Sequence, residues 1–193
     1  MANIKPINFG IIGLGAGTMN MIPELNTNPN AKIIAAADTR KDSLDRFTKD
    51  FGGRIYSNAE DLCKDPDVEV IYVMTPDEMH AEHAVLAAEH GKQVILDKPM
   101  GLTLEQCDDV IAATEKNRTR VIVGHSQSLD LVNLKIAEIA NSGQLGKVVM
   151  IHTMFYSDWI YRPRAKEELI QERGGSIVRR QGPIQVDIVR MIG

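Results

Sequence analysis

Short, continuous apolar runs alternate with amphipathic stretches over the first two-thirds of the chain. The runs at 7–12, 32–37, 68–74, 92–96 and 120–124 read as strands, with a weaker one at 54–56. Ile33-Ile34-Ala35-Ala36-Ala37 and Val70-Ile71-Tyr72-Val73-Met74 have no polar alternation, as expected of strands covered on both faces. Helical patterning fills the gaps at 17–26, 41–50, 59–64, 78–90 and 103–117. Strands and helices in strict alternation imply right-handed crossovers and a parallel sheet. Residues 1–124 are therefore expected to form a doubly wound α/β domain of the Rossmann type. Pro23 falls inside the first helix, where it removes one backbone hydrogen bond and is expected to bend the axis.

After residue 125 the pattern changes. A helix is predicted over 130–141, one Val/Ile-rich strand over 147–155, and a final helical face over 185–192. A polar, arginine-bearing stretch and the Gly174-Gly175 break lie between the last two. One strand leaves its hydrogen-bonding edges unpaired, so residues 125–193 are expected to be the start of an incomplete α+β domain. Pairing of the 147–155 strand with a second copy would satisfy that edge and make a homodimer.

The chain of 193 residues is 44% hydrophobic and 25% charged, with a net charge of −4. No basic patch dominates, which argues against nucleic acid as a partner. No apolar run reaches transmembrane length, so no membrane partner is expected. Cys63 and Cys107 are scattered thiols without metal-ligand spacing, as expected of a reduced cytoplasmic protein. His80 and His83 stand three residues apart on a predicted helix, but no third ligand is evident and no metal is expected.

Ligands of open α/β sheets bind beyond the carboxyl ends of the strands, so strand ends hold the candidate chemistry. The first strand runs into Gly13-Leu14-Gly15-Ala16-Gly17-Thr18 and then a helix beginning near Met19. A tight turn at Gly13, a bare backbone at Gly15 and the partial positive charge of a helix N-terminus suit a pyrophosphate. The third glycine of that fingerprint is replaced by Thr18, which is expected to set helix and strand slightly further apart. Asp38 ends the second strand and is followed by Thr39 and Arg40. Its carboxylate suits the hydroxyls of an adenosine ribose and so favours NAD, while the Arg40 guanidinium leaves NADP open. A helix N-cap is the competing reading of Asp38. Asp97-Lys98-Pro99 ends another strand. A partly desolvated lysine there could exchange a proton, against the plainer reading of a solvated lysine in a loop.

Gly-Ile-Ile-Gly-Leu-Gly at 10–15, Met-Ile-Pro-Glu-Leu at 21–25, Thr-Pro-Asp-Glu-Met-His at 75–80, Gly-Lys-Gln-Val-Ile-Leu-Asp-Lys-Pro-Met at 91–100 and Ser-Gly-Gln-Leu-Gly-Lys-Val at 142–148 resemble the Gfo/Idh/MocA oxidoreductases. The resemblance implies an NAD(P)-dependent dehydrogenase whose C-terminal domain is built on a large, mostly antiparallel sheet, of which 193 residues supply only the start. It implies that Lys98 moves the proton of the reacting hydroxyl, and that Thr75, Pro76, His80, Asp97 and Lys98 itself line the cofactor site. A later helix in the family carries an aspartate, matched by Asp187, and a histidine three residues earlier, where this chain has Ile184. Arg180 stands where an aspartate is often found. Asp158 to Arg164 and Arg179 to Pro183 resemble the phthalate cis-dihydrodiol dehydrogenase branch. That branch implies a carboxylated cyclic diol as the small-molecule substrate, held by Arg162, Arg164, Arg179 and Arg180. Arginines on a solvated face are the alternative. A non-catalytic dinucleotide-binding protein is the alternative function, motivated by Ile184.

Overall fold

The computed structural model describes residues 5–124, 126–156, 170 and 177–193, with the backbone alone at 16, 20, 177 and 179. These fall into two compact units, 1–123 and 124–193.

In the first unit, strands β1 (Ile7–Ile12), β2 (Ala31–Ala37), β3 (Arg54–Tyr56), β4 (Val70–Val73), β5 (Gln93–Asp97) and β6 (Val121–Gly124) alternate with helices α1 (Ala16–Thr27), α2 (Lys41–Phe51), α3 (Ala59–Cys63), α4 (His80–Glu89) and α5 (Leu104–Lys116). The strands form one sheet in the order β3-β2-β1-β4-β5-β6. β1 pairs in parallel with both β2 and β4, and the β2–β3 and β4–β5 pairs are parallel as well. The chain order reverses between β1 and β4. That reversal opens a crevice at the carboxyl ends of those two strands.

Both faces of the sheet are covered, which is why its strands carry no polar alternation. Ile12, Ala37, Ile71, Val73, Val94 and Leu96 pack toward Leu62, Ala84, Ala87 and Val110 on one face. Ile11, Ala36 and Tyr72 pack toward Ile22, Leu44 and Phe47 on the other. The register of β2 slips by one residue at Ile34, between the pairs Phe9–Ile33 and Gly10–Ala35. This bulge lets Ile33 and Ala35 serve opposite faces.

The three-residue β3 buries little of its apolar surface, with Ile55 exposed. It is fixed instead by a polar cluster: Arg54 Nε and Nη2 donate to Asp65 at 2.8 and 2.9 Å, and the Tyr56 hydroxyl donates to the same carboxylate at 2.8 Å. Helix α1 runs through Pro23 without ending there.

The second unit contains α6 (Leu131–Asn141), capped by Asp130, whose carboxylate accepts from Val132 N at 2.8 Å, and α7 (Ile177–Ile192). Helix α7 begins eight residues before the expected start at 185 and continues through Pro183. The strand expected over 147–155 does not form: residues 147–156 have no regular secondary structure. Val149, Met150 and Met154 are 89%, 74% and 78% exposed. A strand exists only by pairing, and among the described residues of this unit no neighbouring strand offers it a ladder. The Val/Ile content expresses β preference without a partner to realise it.

Candidate active site

Four loops leave the carboxyl ends of β1, β2, β4 and β5, and their residues define the crevice. The first is the glycine loop. Gly13 has φ +93°, donates its N–H to Ala37 O at 2.8 Å and sits so close to β4 that a Cβ would lie 2.6 Å from Met74 O. Gly15 has an extended backbone and caps α1 without any side-chain hydrogen bond. A Cβ at Gly15 would meet no heavy atom within 4 Å, so the loop leaves bare backbone facing open space. α1 has no acidic residue in its first turn, so nothing there offsets the positive end of its dipole. Thr18 occupies the third-glycine position. It is 1% exposed, and its hydroxyl donates to Gly13 O at 2.7 Å. The threonine is tucked under the loop as an internal tie. Gly17 is exposed and Met19 half-buried on the same turn. Open backbone, a helix N-terminus and no opposing acid fit a dinucleotide pyrophosphate.

The second loop carries Asp38, whose side chain is 7% exposed. Oδ2 accepts from Leu14 N at 2.8 Å, which ties the glycine loop to the end of β2. Arg40 answers the same carboxylate three times: its backbone N and Nε donate to Oδ1 at 2.8 and 3.0 Å, and Nη2 donates to Oδ2 at 3.0 Å. Nη2 also reaches Leu14 O at 3.1 Å. Burial raises the Asp38 pKa, but the Arg40 and Leu14 hydrogen bonds together outweigh it, so the carboxyl titrates below its ordinary range. The N-cap position of α2 is taken by Arg40 rather than Asp38. Thr39 is exposed beside them.

The third loop follows β4. Thr75 is half-buried and Pro76 exposed. Two histidines at the start of α4 hold Thr75 from below. His83 Nδ1 lies 3.1 Å from Thr75 Oγ1, and His80 Nε2 lies 2.8 Å from Thr75 O. The i,i+3 spacing that first draws attention as a metal pair thus brings both rings to Thr75. Among the described residues no three His, Cys, Asp or Glu side chains come together as a metal site.

The fourth loop holds Asp97, Lys98 and Pro99, each half-buried. Asp97 Oδ1 accepts from Lys98 N at 2.9 Å, and the Lys98–Pro99 peptide bond is cis. Tyr72 lies behind them, its phenol pushed up to about 12 by burial and then by the Asp97 charge.

His83 carries a pH consequence. Burial lowers its pKa below 6.5, Glu82 opposes that, and His80 adds to it. The folded form therefore prefers the neutral ring, while the unfolded chain takes up a proton below pH 6.5. Stability from this group is complete above that pH and declines as the pH falls toward the folded pKa, by at most about 1.4 kcal/mol per pH unit. Urea unfolding at about pH 7.5 and about pH 5.5 is expected to show this loss in the wild type. His83→Asn, which keeps a polar atom near the Nδ1 position, should flatten it; an unchanged pH slope in that variant assigns the loss elsewhere.

Of the other expected site residues, Asp187 lies buried in the second unit, where its Oδ1 accepts from Arg190 Nη2 at 3.0 Å. Arg180 and Ile184 are half-buried on α7, and Arg179 lies on the same helix. Arg162 and Arg164 lie outside the described residues, as does His125. Sequence reasoning missed the Leu14 amide as a partner of Asp38, and it missed His83 and the Pro99 carbonyl. Backbone groups leave no mark in composition. For His83 the only signal was its spacing from His80.

The pattern of an oxidoreductase family with an NAD-binding Rossmann fold, Gfo/Idh/MocA, matches residues 7–125. A 1-carboxy-3-chloro-3,4-dihydroxycyclohexa-1,5-diene dehydrogenase of Comamonas testosteroni is 40% identical over 96% of this chain and 47% of its own length. An inositol 2-dehydrogenase of Salmonella typhimurium is 30% identical over 78% of this chain and 46% of its own. The crystal structure of a Bordetella bronchiseptica protein superimposes with a TM-score of 0.91 at 36% identity, over 97% of this chain and 49% of that one. The chain spans about half the length of the curated relatives it matches. The four loops, the strand order that brings them together and the sequence agreement across 7–125 make this chain a member of the Gfo/Idh/MocA oxidoreductases.

Proposed function

We propose that this chain binds NAD in the crevice of the first unit and belongs to a dehydrogenase that oxidises a secondary alcohol of a carboxylated cyclic diol. The observation that carries the reading is the meeting of the bare glycine loop with the Asp38, Thr75 and Lys98 loops at one edge of the sheet. The amides opening α1 would hold the pyrophosphate, with Gly15 and Gly17 leaving room and Ala16 and Met19 on the same turn. Asp38 would accept from the adenosine ribose hydroxyls, with Thr39 and Arg40 at its rim. Thr75, Pro76 and Asp97 would frame the nicotinamide end. When bound, NAD+ supplies the hydride acceptor. Lys98 takes the hydroxyl proton as the alcohol carbon is oxidised, and a held geometry carries much of the rate.

In the second unit, Asp187 and the arginines Arg162, Arg164, Arg179 and Arg180 are the substrate-side residues of this reading. Guanidinium forks bind carboxylates through paired hydrogen bonds. The carboxylated diene diol in the name of the Comamonas relative supports that substrate class. A second reading, a dinucleotide-binding chain without turnover, is favoured by Ile184, which has no proton to exchange where the family carries a histidine.

Calorimetric titration of the chain with NAD+ and NADP+ tests the proposal. NAD+ is expected to bind at micromolar to millimolar concentration, and NADP+ more weakly because the Asp38 carboxylate repels a 2′-phosphate. Heat from neither cofactor defeats the proposal, and binding without oxidation of any cyclic diol selects the second reading. Homodimerisation belongs to the same proposal, with Val149, Met150 and Met154 as its exposed apolar contacts. Light scattering on the titrated sample is expected to give twice the chain mass, and a monomer removes that part.

A further inference from the structure

His80 is the most buried titratable side chain of the first unit's crevice that the chemistry above does not use. It is 1% exposed and opens α4 directly beneath the strand ends. Its two ring nitrogens point to two different loops: Nε2 lies 2.8 Å from Thr75 O, and Nδ1 lies 2.7 Å from Pro99 O. Carbonyl oxygens only accept, so the ring donates through whichever nitrogen carries the proton, and the other nitrogen lies against the second carbonyl. The imidazole holds its two nitrogens at a fixed separation in one rigid plane. Thr75 follows β4, and Pro99 immediately follows Lys98 after β5. At 1% exposure and with both nitrogens engaged, the ring has no edge left for a ligand.

We propose that His80 is a positioning residue: a buried strap whose ring joins the Thr75 carbonyl to the Pro99 carbonyl and thereby fixes the Lys98 loop against the cofactor loop. The backbone around Lys98 is then held at two points, by Asp97 Oδ1 on its own amide and by His80 on the next residue's carbonyl. Movement of the Thr75 loop on ligand binding is passed through one rigid ring to the residue after the lysine. The inference rests on the dehydrogenase reading only for the role of Lys98; the strap itself is a property of the free chain.

Hydrogen exchange on the full chain tests it, comparing wild type, His80→Phe and His83→Asn with and without NAD+. In free His80→Phe, residues 97–102 are expected to exchange at least about tenfold faster, while β1, β2 and β4 keep wild-type rates. His83→Asn, which alters the hydrogen bond to the Thr75 hydroxyl, should leave 97–102 unchanged. In wild type, NAD+ should slow exchange at both 74–79 and 97–102; in His80→Phe it should slow 74–79 alone. A histidine that merely fills space would not cut that second response. Wild-type exchange at 97–102 in a folded His80→Phe, or an undiminished response to NAD+ there, overturns the strap. If wild type binds no NAD+, the proposed function fails while the comparison of free chains still decides the strap. Should His80→Phe not fold, the wild-type ring decides: a His80 N–H resonance exchanging slowly with solvent supports the strap, and exchange as fast as free imidazole overturns it.

Discussion

Gly13→Ala is expected to unfold much of the first unit's crevice, costing about 3 kcal/mol and all measurable dinucleotide binding. The added Cβ would lie 2.6 Å from Met74 O and 2.9 Å from Met74 C, both backbone atoms. Neither partner can give way. Met74 N donates to Ile12 O at 2.8 Å, and Gly13 N donates to Ala37 O at 2.8 Å, so the glycine is tied to strands on both sides. Its φ of +93° is strained for any L side chain besides. Gly15→Ala makes the contrast. Its φ is −75° and its Cβ meets nothing within 4 Å, so stability should stay within about 0.5 kcal/mol of wild type. The methyl group would nevertheless stand in the space assigned to the pyrophosphate. Urea unfolding and NAD+ titration of the two variants separate the roles: Gly13 is needed for the fold, Gly15 for the ligand. Wild-type stability in Gly13→Ala would show that β1 and β4 can part at no cost, against the packing described.

The same two glycines show why the first unit was legible in sequence. A strand covered on both faces has only one way to look, and β1, β2 and β4 look that way, so their positions follow from apolar runs alone. β3 was the weak case because its stability is not its own: the Arg54–Asp65–Tyr56 hydrogen bonds come from residues on either side of α3. In the second unit, composition misled twice. The run 147–155 has the residues of a strand and no ladder to join, since pairing is a property of neighbours. Helix α7 was expected to start after Pro183, yet the structure begins it at Ile177. A proline forbids one hydrogen bond, and packing can carry a helix past that loss.

The site divides along the same line. The strand-end positions of Asp38 and Lys98 were readable because each stands just past an apolar run, where an α/β sheet presents its loops. What the sequence could not display is how Asp38 is occupied. Leu14 N and three Arg40 donors converge on it, so Arg40 holds the carboxylate in place. Likewise Thr18 stands where the glycine fingerprint expects glycine, and its hydroxyl bonds Gly13 O. A side chain that finds an internal partner can replace the residue a motif names.

Lys98→Ala is expected to lower kcat/KM by about 10³-fold while leaving the NAD+ Kd within a few-fold. The lysine stands on a firmly held segment. Its backbone amide is bound by Asp97, and the carbonyl of the next residue faces the His80 ring. A firmly held backbone gives the side chain a fixed starting point, which lowers the cost of aligning the amine for proton transfer. The pyrophosphate and ribose contacts assigned above involve other loops, so truncating the lysine removes no major cofactor contact. Lys98→Arg sharpens the test. The guanidinium keeps the positive charge and cannot give up its proton, so it preserves electrostatic attraction and forbids proton acceptance. If Lys98 serves by moving the hydroxyl proton, the arginine variant should be nearly as slow as the alanine variant. If charge alone sufficed, arginine would restore most of the rate. NADH formation from a carboxylated cyclohexadiene diol, followed by absorbance with saturating NAD+, reads both variants. Near-normal turnover in Lys98→Ala would remove the lysine from the chemistry and leave Asp187 as the residue to test next.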